Sequence, residues 1–256
     1  MLFETGFVES QTNIGGELIR CRIRAPKIAS QAKAGNFLLL SCPSRPFPIL
    51  KRPFGIHDAE NDFIEILYKI KGEATSTMAT LLPSDVVELI GPLGNKFPQI
   101  KDSRILLVGA GSGCAPLLLA AKEAHASGNE VDLLVSGRNA AKVPDLTSFA
   151  PYCRKISIVT RDGSIGISGA AENICQEICH RSNLQMIIAC GPERLLKPIA
   201  QVAYHSKINC FISLERYMAC GVGACLGCTC TTKNGNQRVC KDGPTFNAEE
   251  VFDFAE

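Results

Sequence analysis

The chain has 256 residues, is 46% hydrophobic and carries a formal net charge of +2. That length exceeds what one core comfortably needs and favours two domains with a small extra module, while near-neutral charge without a basic run gives no electrostatic case for nucleic acid. Thirteen cysteines are an odd count for a disulfide framework, and Cys21, Cys42, Cys114 and Cys190 sit beside apolar residues, so a reducing cytoplasm is the simpler home. The N-terminus, Met1 to Glu9, carries acids where a signal peptide would carry basic residues and an apolar run. The longest uncharged stretch, Ile105 to Ala121, is broken by Gly109, Gly111, Gly113 and Pro116, which reads as strand, loop and helix and not as a membrane span.

Residues 1–98 read as short strands separated by Gly, Pro and Asn: Thr5–Glu9, Gly16–Arg24, Asn36–Ser41, Phe63–Ile70 and Asp85–Ile90. The rough alternation of apolar and charged residues over Glu17–Arg24 predicts a half-buried strand, and the spacing predicts a small antiparallel barrel. Lys51-Arg52-Pro53-Phe54-Gly55-Ile56 reads as a turn in which an arginine could clamp a phosphate and a glycine could let the backbone meet a flat ring. Without further context it is equally a plain surface turn, and the same holds for Leu67-Tyr68-Lys69 with the polar turn Gly72-Glu73-Ala74-Thr75-Ser76. The segment Gly91-Pro-Leu-Gly94-Asn-Lys-Phe97-Pro98 reads as a hinge.

Over residues 99–209 the rhythm becomes strand, helix, strand. Expected strands are Ile105–Val108, Val131–Val135, Lys155–Thr160 and Gln185–Ala189, with Lys207–Ser213 running past that span; expected helices are Ala115–Ser127, a short one near Ala140–Phe149, Ala171–Arg181 and Glu193–His205. Alternation of this kind predicts a doubly wound parallel sheet covered on both faces. The first strand runs into Gly109-Ala-Gly111-Ser-Gly113-Cys-Ala-Pro116, where glycines at a strand-to-helix turn let a pyrophosphate approach backbone N–H groups. The motif is not a full G-x-G-x-x-G, because Cys114 stands in the third glycine's place. Cys190-Gly191-Pro192 follows the fourth strand at an end where such sheets bind ligand, although an ordinary bend explains it as well. The second strand ends in Ser136-Gly137-Arg138-Asn139, with no acid for a ribose 2′-hydroxyl, so NADP is not excluded. His57, His125, His180 and His205 have no partner at ligand spacing and read as surface groups.

Residues 210–256 hold Cys220, Cys225 and Cys228 in the spacing C-x4-C-x2-C, with Cys240 further on. Three thiolates from one tight loop and a distant fourth match the plant-type [2Fe–2S] pattern. Gly221, Gly223 and Gly227 would let the loop take positive φ and turn N–H groups inward. A structural zinc site is the alternative, although zinc favours two separate short knuckles. Cys230 is a further thiol just beyond the loop.

A barrel, a nucleotide-binding sheet and a [2Fe–2S] module in this order resemble the ferredoxin–NADP reductase superfamily. Within it, Arg52-Pro-Phe-Gly55, Gly91-Pro-Leu-Gly94-Asn, Gly109–Gly113, Thr160–Gly166, Ala189–Pro192, Glu215–Cys220 and Arg238-Val-Cys240-Lys-Asp-Gly-Pro244 resemble the electron-transfer subunits of class 1B dihydroorotate dehydrogenase over essentially the whole chain. The resemblance implies one FAD, held by Arg52, Pro53, Phe54, Gly55, Leu67, Tyr68, Lys69, Ala74 and Thr75. It implies NAD at Gly109, Gly111, Gly113, Cys190, Gly191 and Pro192, and one [2Fe–2S] cluster on Cys220, Cys225, Cys228 and Cys240. Two departures stand out: the family commonly has Ser or Thr where Gly55 stands, and Gly where Ala74 stands.

The resemblance also implies an oxidoreductase subunit with no dihydroorotate site of its own. Electrons from the FMN of a separate catalytic subunit would reach NAD through the cluster and FAD, in cytoplasmic pyrimidine (UMP) synthesis, within a heterotetramer of two of each subunit. A flavin suits this because it takes electrons singly and gives them up as hydride. The rival readings are a flavin and iron–sulfur subunit of another complex, such as a hydrogenase or a bifurcating enzyme, and a zinc-stabilised binding module.

Overall fold

The computed structural model describes residues 1–254. Strands β1 (Leu2–Asn13), β2 (Ile19–Arg24), β3 (Phe37–Ser41), β4 (Arg52–Glu60), β5 (Phe63–Tyr68) and β6 (Val86–Leu93) close into an antiparallel barrel in the order β1-β2-β5-β4-β3-β6. Two short helices, α1 (Pro26–Ala29) and α2 (Glu73–Met78), lie in its connections. The alternation expected in β2 is present: Cys21 and Ile23 point into the core, while Arg22 faces solvent. Arg22 stands opposite Glu65 in register and meets its carboxylate at 2.9 Å, a cross-strand pair that fixes which face of the strand looks inward.

Three parts of the barrel differ from expectation. The segment read as a turn at Arg52–Ile56 is the first half of β4, with Pro53 opposite Leu39 and Gly55 opposite Phe37. Pro53 donates no hydrogen bond and Gly55 has no side chain to pack, which hid a strand from its composition. Residues 15–18 precede β2 as a turn, and Gly72–Ser76, read as a polar turn, opens α2. The expected hinge is also displaced, since β6 continues through Gly91, Pro92 and Leu93 before the chain leaves the barrel.

The second half contains β7 (Arg104–Ala110), α3 (Leu117–Ala126), β8 (Glu130–Gly137), β9 (Lys155–Thr160), β10 (Ile167–Ser168), α4 (Ala171–Arg181), β11 (Met186–Cys190), α5 (Glu193–His205) and β12 (Asn209–Ser213). A hairpin of β13 (Thr229–Thr232) and β14 (Gly235–Arg238) follows, then β15 (Thr245–Asn247) and α6 (Ala248–Val251). The sheet order is β10-β9-β8-β7-β11-β12-β15; its strands are parallel except β15, which pairs antiparallel with β12. The short helix expected near Ala140–Phe149 is two 3-10 turns, Ala140–Lys142 and Thr147–Phe149. Pro144 interrupts the run, and Asp145 instead accepts the Thr147 N–H at 3.0 Å.

Successive residues of β7 serve different layers, as a doubly wound sheet requires. Ile105 and Leu107 join α3 and the barrel interior in one continuous apolar cluster, whereas Leu106 and Val108 pack with α4 and α5. Each such side chain, when fully buried, contributes about 1.5–3 kcal/mol. One apolar cluster therefore holds the barrel against the sheet and sets the cleft between them. His57 lies in that contact and is a correction to its reading as a surface group: it is 2% exposed, and its Nδ1 lies 2.7 Å from the Ala115 carbonyl. The carbonyl accepts, so Nδ1 carries the proton, and burial holds the imidazole below its usual pKa. His125, His180 and His205 are exposed.

Candidate functional site

From β7 the chain adds β8 and β9 on one side and then returns to place β11 on the other. The carboxyl ends of β7 and β11 thus form the sheet's switch point, the usual place for a ligand in an open α/β fold. The two glycine loops meet there. A Cβ on Gly113 would come within 2.3 Å of the Cys190 carbonyl oxygen and 2.5 Å of the Gly191 Cα, so only glycine permits this approach. A cleft of about 560 Å³ opens between the switch point and the barrel. That size falls within the range for small-molecule and cofactor sites.

Arg52, Pro53, Phe54, Gly55, Leu67, Tyr68, Lys69, Ala74 and Thr75 line the cleft on the barrel side, and Gly113, Cys190 and Gly191 line it on the sheet side. Gly109, Gly111 and Pro192 stand outside its wall. Phe54 and Tyr68 meet edge to face at 6.1 Å, and the Tyr68 hydroxyl donates to Gln11 Oε1 at 2.5 Å. Arg52 Nη1 donates to the Leu50 carbonyl at 2.6 Å, which leaves most of its guanidinium donors free for an anion. Lys69 pairs with Glu17, whose carboxylate also takes Lys142 of the sheet half. Hydrogen bonds from Lys142 and then Lys69 hold Glu17 down to about 2. Thr75 Oγ1 accepts the N–H groups of Lys71 and Gly72 at 2.9 and 3.2 Å and organises the start of α2. Aromatic and apolar walls with cations at the edge suit a flat ring carrying phosphates. At Gly55 a Cβ would meet Pro116 only at 3.7 and 3.8 Å, so a serine or threonine there would fit.

The cysteine loop follows directly from the cleft wall, which includes Glu215, Arg216, Tyr217 and Met218. Cys220 Sγ accepts N–H bonds from Val222 at 3.5 Å and Cys225 at 3.4 Å; the same two bonds, Val222 first, lower its pKa to about 6. Gly223 N–H donates to Cys240 Sγ at 3.1 Å, and Cys240 N–H donates to Cys228 Sγ at 3.4 Å. The β13–β14 hairpin explains how Cys240 returns to Cys228. Thr229 stands opposite Arg238, and Val239 N–H donates to the Cys228 carbonyl at 3.2 Å. Cys230 is carried into the hairpin opposite Gln237 and is buried. Burial pushes Cys240 up to about 12, a shift that metal coordination overrides because a coordinating thiol is deprotonated.

Amide donors aimed at thiolate sulfurs are the arrangement an iron–sulfur group requires. Among the described residues, no three His, Cys, Asp or Glu side chains converge on one metal ion; that geometry concerns a single ion, whereas the ligands of a two-iron group are divided between two. Gly221 has φ +67, and a Cβ there would lie 2.6 Å from Leu39 Cδ1 of the barrel. The loop is therefore seated on β3. Positive φ also occurs at Gly223 and Leu226, but not at Gly227, where it was expected.

The trailing Arg-Val-Cys-Lys-Asp-Gly-Pro motif has a structural explanation. Arg238 clamps Asp242 through Nε and Nη2, both at 2.9 Å, and reaches the Gly223 carbonyl with Nη1 at 3.3 Å. Asn95, at the end of the barrel's Gly-Pro-Leu-Gly-Asn motif, donates to the carbonyls of Asp242 and Thr245 and accepts the Thr245 N–H. Two motifs far apart in sequence are thus halves of one joint.

Residues 215–252 match the iron–sulfur cluster binding domain of dihydroorotate dehydrogenase B. The chain is 36% identical over 222 residues to the dihydroorotate dehydrogenase B (NAD(+)) electron transfer subunit of Caldanaerobacter subterraneus subsp. tengcongensis, covering 85% of this chain and 86% of that one. The chain belongs to this family. The subunit of the same name from Geobacillus kaustophilus is 31% identical over 252 residues, covering 95% of this chain and 96% of that one. Among solved structures, an NADH-dependent reduced ferredoxin–NADP oxidoreductase superposes with a TM-score of 0.85 at 23% identity, covering 98% of this chain and 90% of that one, a likeness of fold. Among the described residues, no helix of this family member is long and apolar enough to cross a membrane.

Glu215 to Met218 line the cleft, a place that the motif Glu215–Cys220 does not by itself reveal. The available signal was position, because these residues follow the carboxyl end of a parallel strand. Tyr217, 95% exposed and on the cleft wall, was the least legible, since nothing in its local pattern separates it from a loop residue.

Proposed function

We propose that this chain is the subunit that carries electrons from a dihydroorotate dehydrogenase catalytic subunit to NAD+ in pyrimidine synthesis. The observation that carries this reading is the continuity of the site: the segment Glu215–Met218 that walls the cleft runs within two residues into Cys220. One short stretch thus touches both the ring-sized cleft and the thiolate cradle. When bound, the iron–sulfur group supplies single-electron transfer, and the flavin converts single electrons into hydride.

The chain's own residues bind and orient. Residues 1–98 form the flavin domain, with Arg52 for phosphate, Pro53, Phe54, Gly55, Leu67 and Tyr68 along the ring, and Lys69, Ala74 and Thr75 closing the cleft. Residues 99–209 form the nucleotide domain, in which Gly109, Gly111 and Gly113 shape one loop and Cys190, Gly191 and Pro192 the other. Residues 210–256 carry the [2Fe–2S] group on Cys220, Cys225, Cys228 and Cys240. Cys225 is exposed, and Val222 and Leu226 beside it are 39% and 62% exposed, which gives a partner an apolar surface next to the group it must reach. The partner is the FMN-containing catalytic subunit, two of each forming a heterotetramer, and the complex works in the cytoplasm, where thirteen cysteines with no disulfide among them are at home.

The test is reconstitution with a class 1B catalytic subunit under anaerobic conditions. Dihydroorotate should reduce NAD+ only when both subunits are present, with orotate and NADH formed in equal amounts. NAD+ reduction by the catalytic subunit alone, or none with both subunits fully loaded, would overturn the assignment.

A further inference from the structure

The carboxyl ends of β8 and β9 form a basic site that the relatives' names do not anticipate. Gly137 and Thr160 are register partners, and the Arg161 N–H donates to the Gly137 carbonyl at 3.1 Å. Arg138 and Arg161, each the first residue past the end of its strand, therefore emerge side by side, and both are exposed. Among the described residues, neither guanidinium has a hydrogen-bond or ion-pair partner. The two loops are tied together, since the Ala140 N–H donates to Ser164 Oγ at 2.7 Å.

The nearby carboxylates are directed elsewhere. Asp162 accepts from the Ser164 hydroxyl and N–H at 2.6 and 3.0 Å, and these bonds lower its pKa. Asp145 holds Thr147 through its N–H and hydroxyl at 3.0 and 2.9 Å, and Glu17 is taken by Lys142 and Lys69. Asp132, on β8 itself, is engaged by Arg104 and Arg154. In dinucleotide sites the end of the second strand carries an acid for a free ribose 2′-hydroxyl, or an arginine for a 2′-phosphate. Here the acid is missing and two unengaged arginines are present. Paired guanidiniums match the planar, multidentate recognition of a phosphate dianion.

We propose that the nucleotide site of this chain accepts NADP(H) as well as NAD(H), with the 2′-phosphate held between Arg138 and Arg161. The inference rests on the placement of the nucleotide across the ends of β7 and β11. NADPH would give its hydride to the bound flavin and leave as NADP+, with one solvent proton completing the flavin's reduction.

The experiment uses the flavin- and cluster-loaded chain, with AMP and adenosine 2′,5′-bisphosphate as probes in titration calorimetry. The expected result is tighter binding of the bisphosphate by on the order of tenfold or more, the effect of charge-assisted hydrogen bonds. That ratio should fall towards one in Arg138→Ala/Arg161→Ala and return in part in Arg138→Lys/Arg161→Lys. Equal affinities, or a preference that survives in the double alanine variant, would overturn the inference. Anaerobic flavin bleaching separates the two levels: bleaching by NADH but not by NADPH defeats this inference alone, whereas bleaching by neither defeats the placement of the nucleotide.

Discussion

Replacing Gly221 by alanine should loosen the cysteine loop from the barrel by a calculable amount. Its φ of +67 lies in the left-handed region, where alanine costs about 1–2 kcal/mol. The new Cβ would lie 2.6 Å from Leu39 Cδ1 and 3.1 Å from Leu39 Cγ. Leu39 is 2% exposed and has little room to turn aside, so the overlap adds about 1–3 kcal/mol of overpacking. Gly235 is the control, because its φ is also positive, at +93, but nothing lies within 4 Å of its Cβ. Gly235→Ala should therefore show the strain without the overlap. The assay is the urea midpoint of the loaded protein together with iron and sulfide per chain. Gly221→Ala should lose roughly 1–3 kcal/mol more than Gly235→Ala and retain less iron. Adding Leu39→Ala should cost less than the sum of the single changes, since the two sites touch. Equal losses in the two glycine variants, with full iron in both, would refute the seating of the loop on β3.

The same geometry supports further expectations. Arg52→Ala should weaken FAD binding by about 1.5–3 kcal/mol through loss of a charge-assisted phosphate contact; flavin content after gel filtration reads this, and an unchanged content would remove Arg52 from the site. Cys225→Ser should abolish the iron–sulfur absorbance while NADH still bleaches the flavin, because hydride transfer does not involve that thiolate; loss of both signals would count against the wiring. Asn95→Ala removes the bonds to Asp242 and Thr245 and should cost about 1–3 kcal/mol, with faster iron release on chelation; a variant with wild-type iron retention would show that the joint does not hold the cysteine module.

Most of the architecture was legible because its signals are periodic. The alternation in β2 and the apolar strands of the sheet follow from one or two buried faces. The cysteine-rich module was legible for another reason: a metal group fixes both residue type and spacing, and residues 215–252 match an iron–sulfur cluster binding domain. Elements too short or too irregular for a period were missed. Pro53 and Gly55 disguised β4, and α2 has only six residues, too few for a helical repeat to show. β15 has three residues and is recognised only by its pairing with β12. The burial of His57 depends on the Ala115 carbonyl, 58 positions away, a contact that no local window contains. The meeting of Gly113 with Cys190 is long-range in the same way; each loop was visible, their contact was not.

Whether one chain holds a flavin cleft and an iron–sulfur cradle joined for electron transfer to a nicotinamide nucleotide can be read from an anaerobic visible spectrum. It should be recorded on the purified chain before and after NADH, alongside iron, sulfide, zinc and flavin analysis. Two irons, two sulfides and one FAD per chain are expected, with flavin and cluster bands that bleach when NADH is added. A colourless protein carrying zinc and no flavin would contradict that expectation, and would reduce the glycine loops at the switch point to ordinary turns.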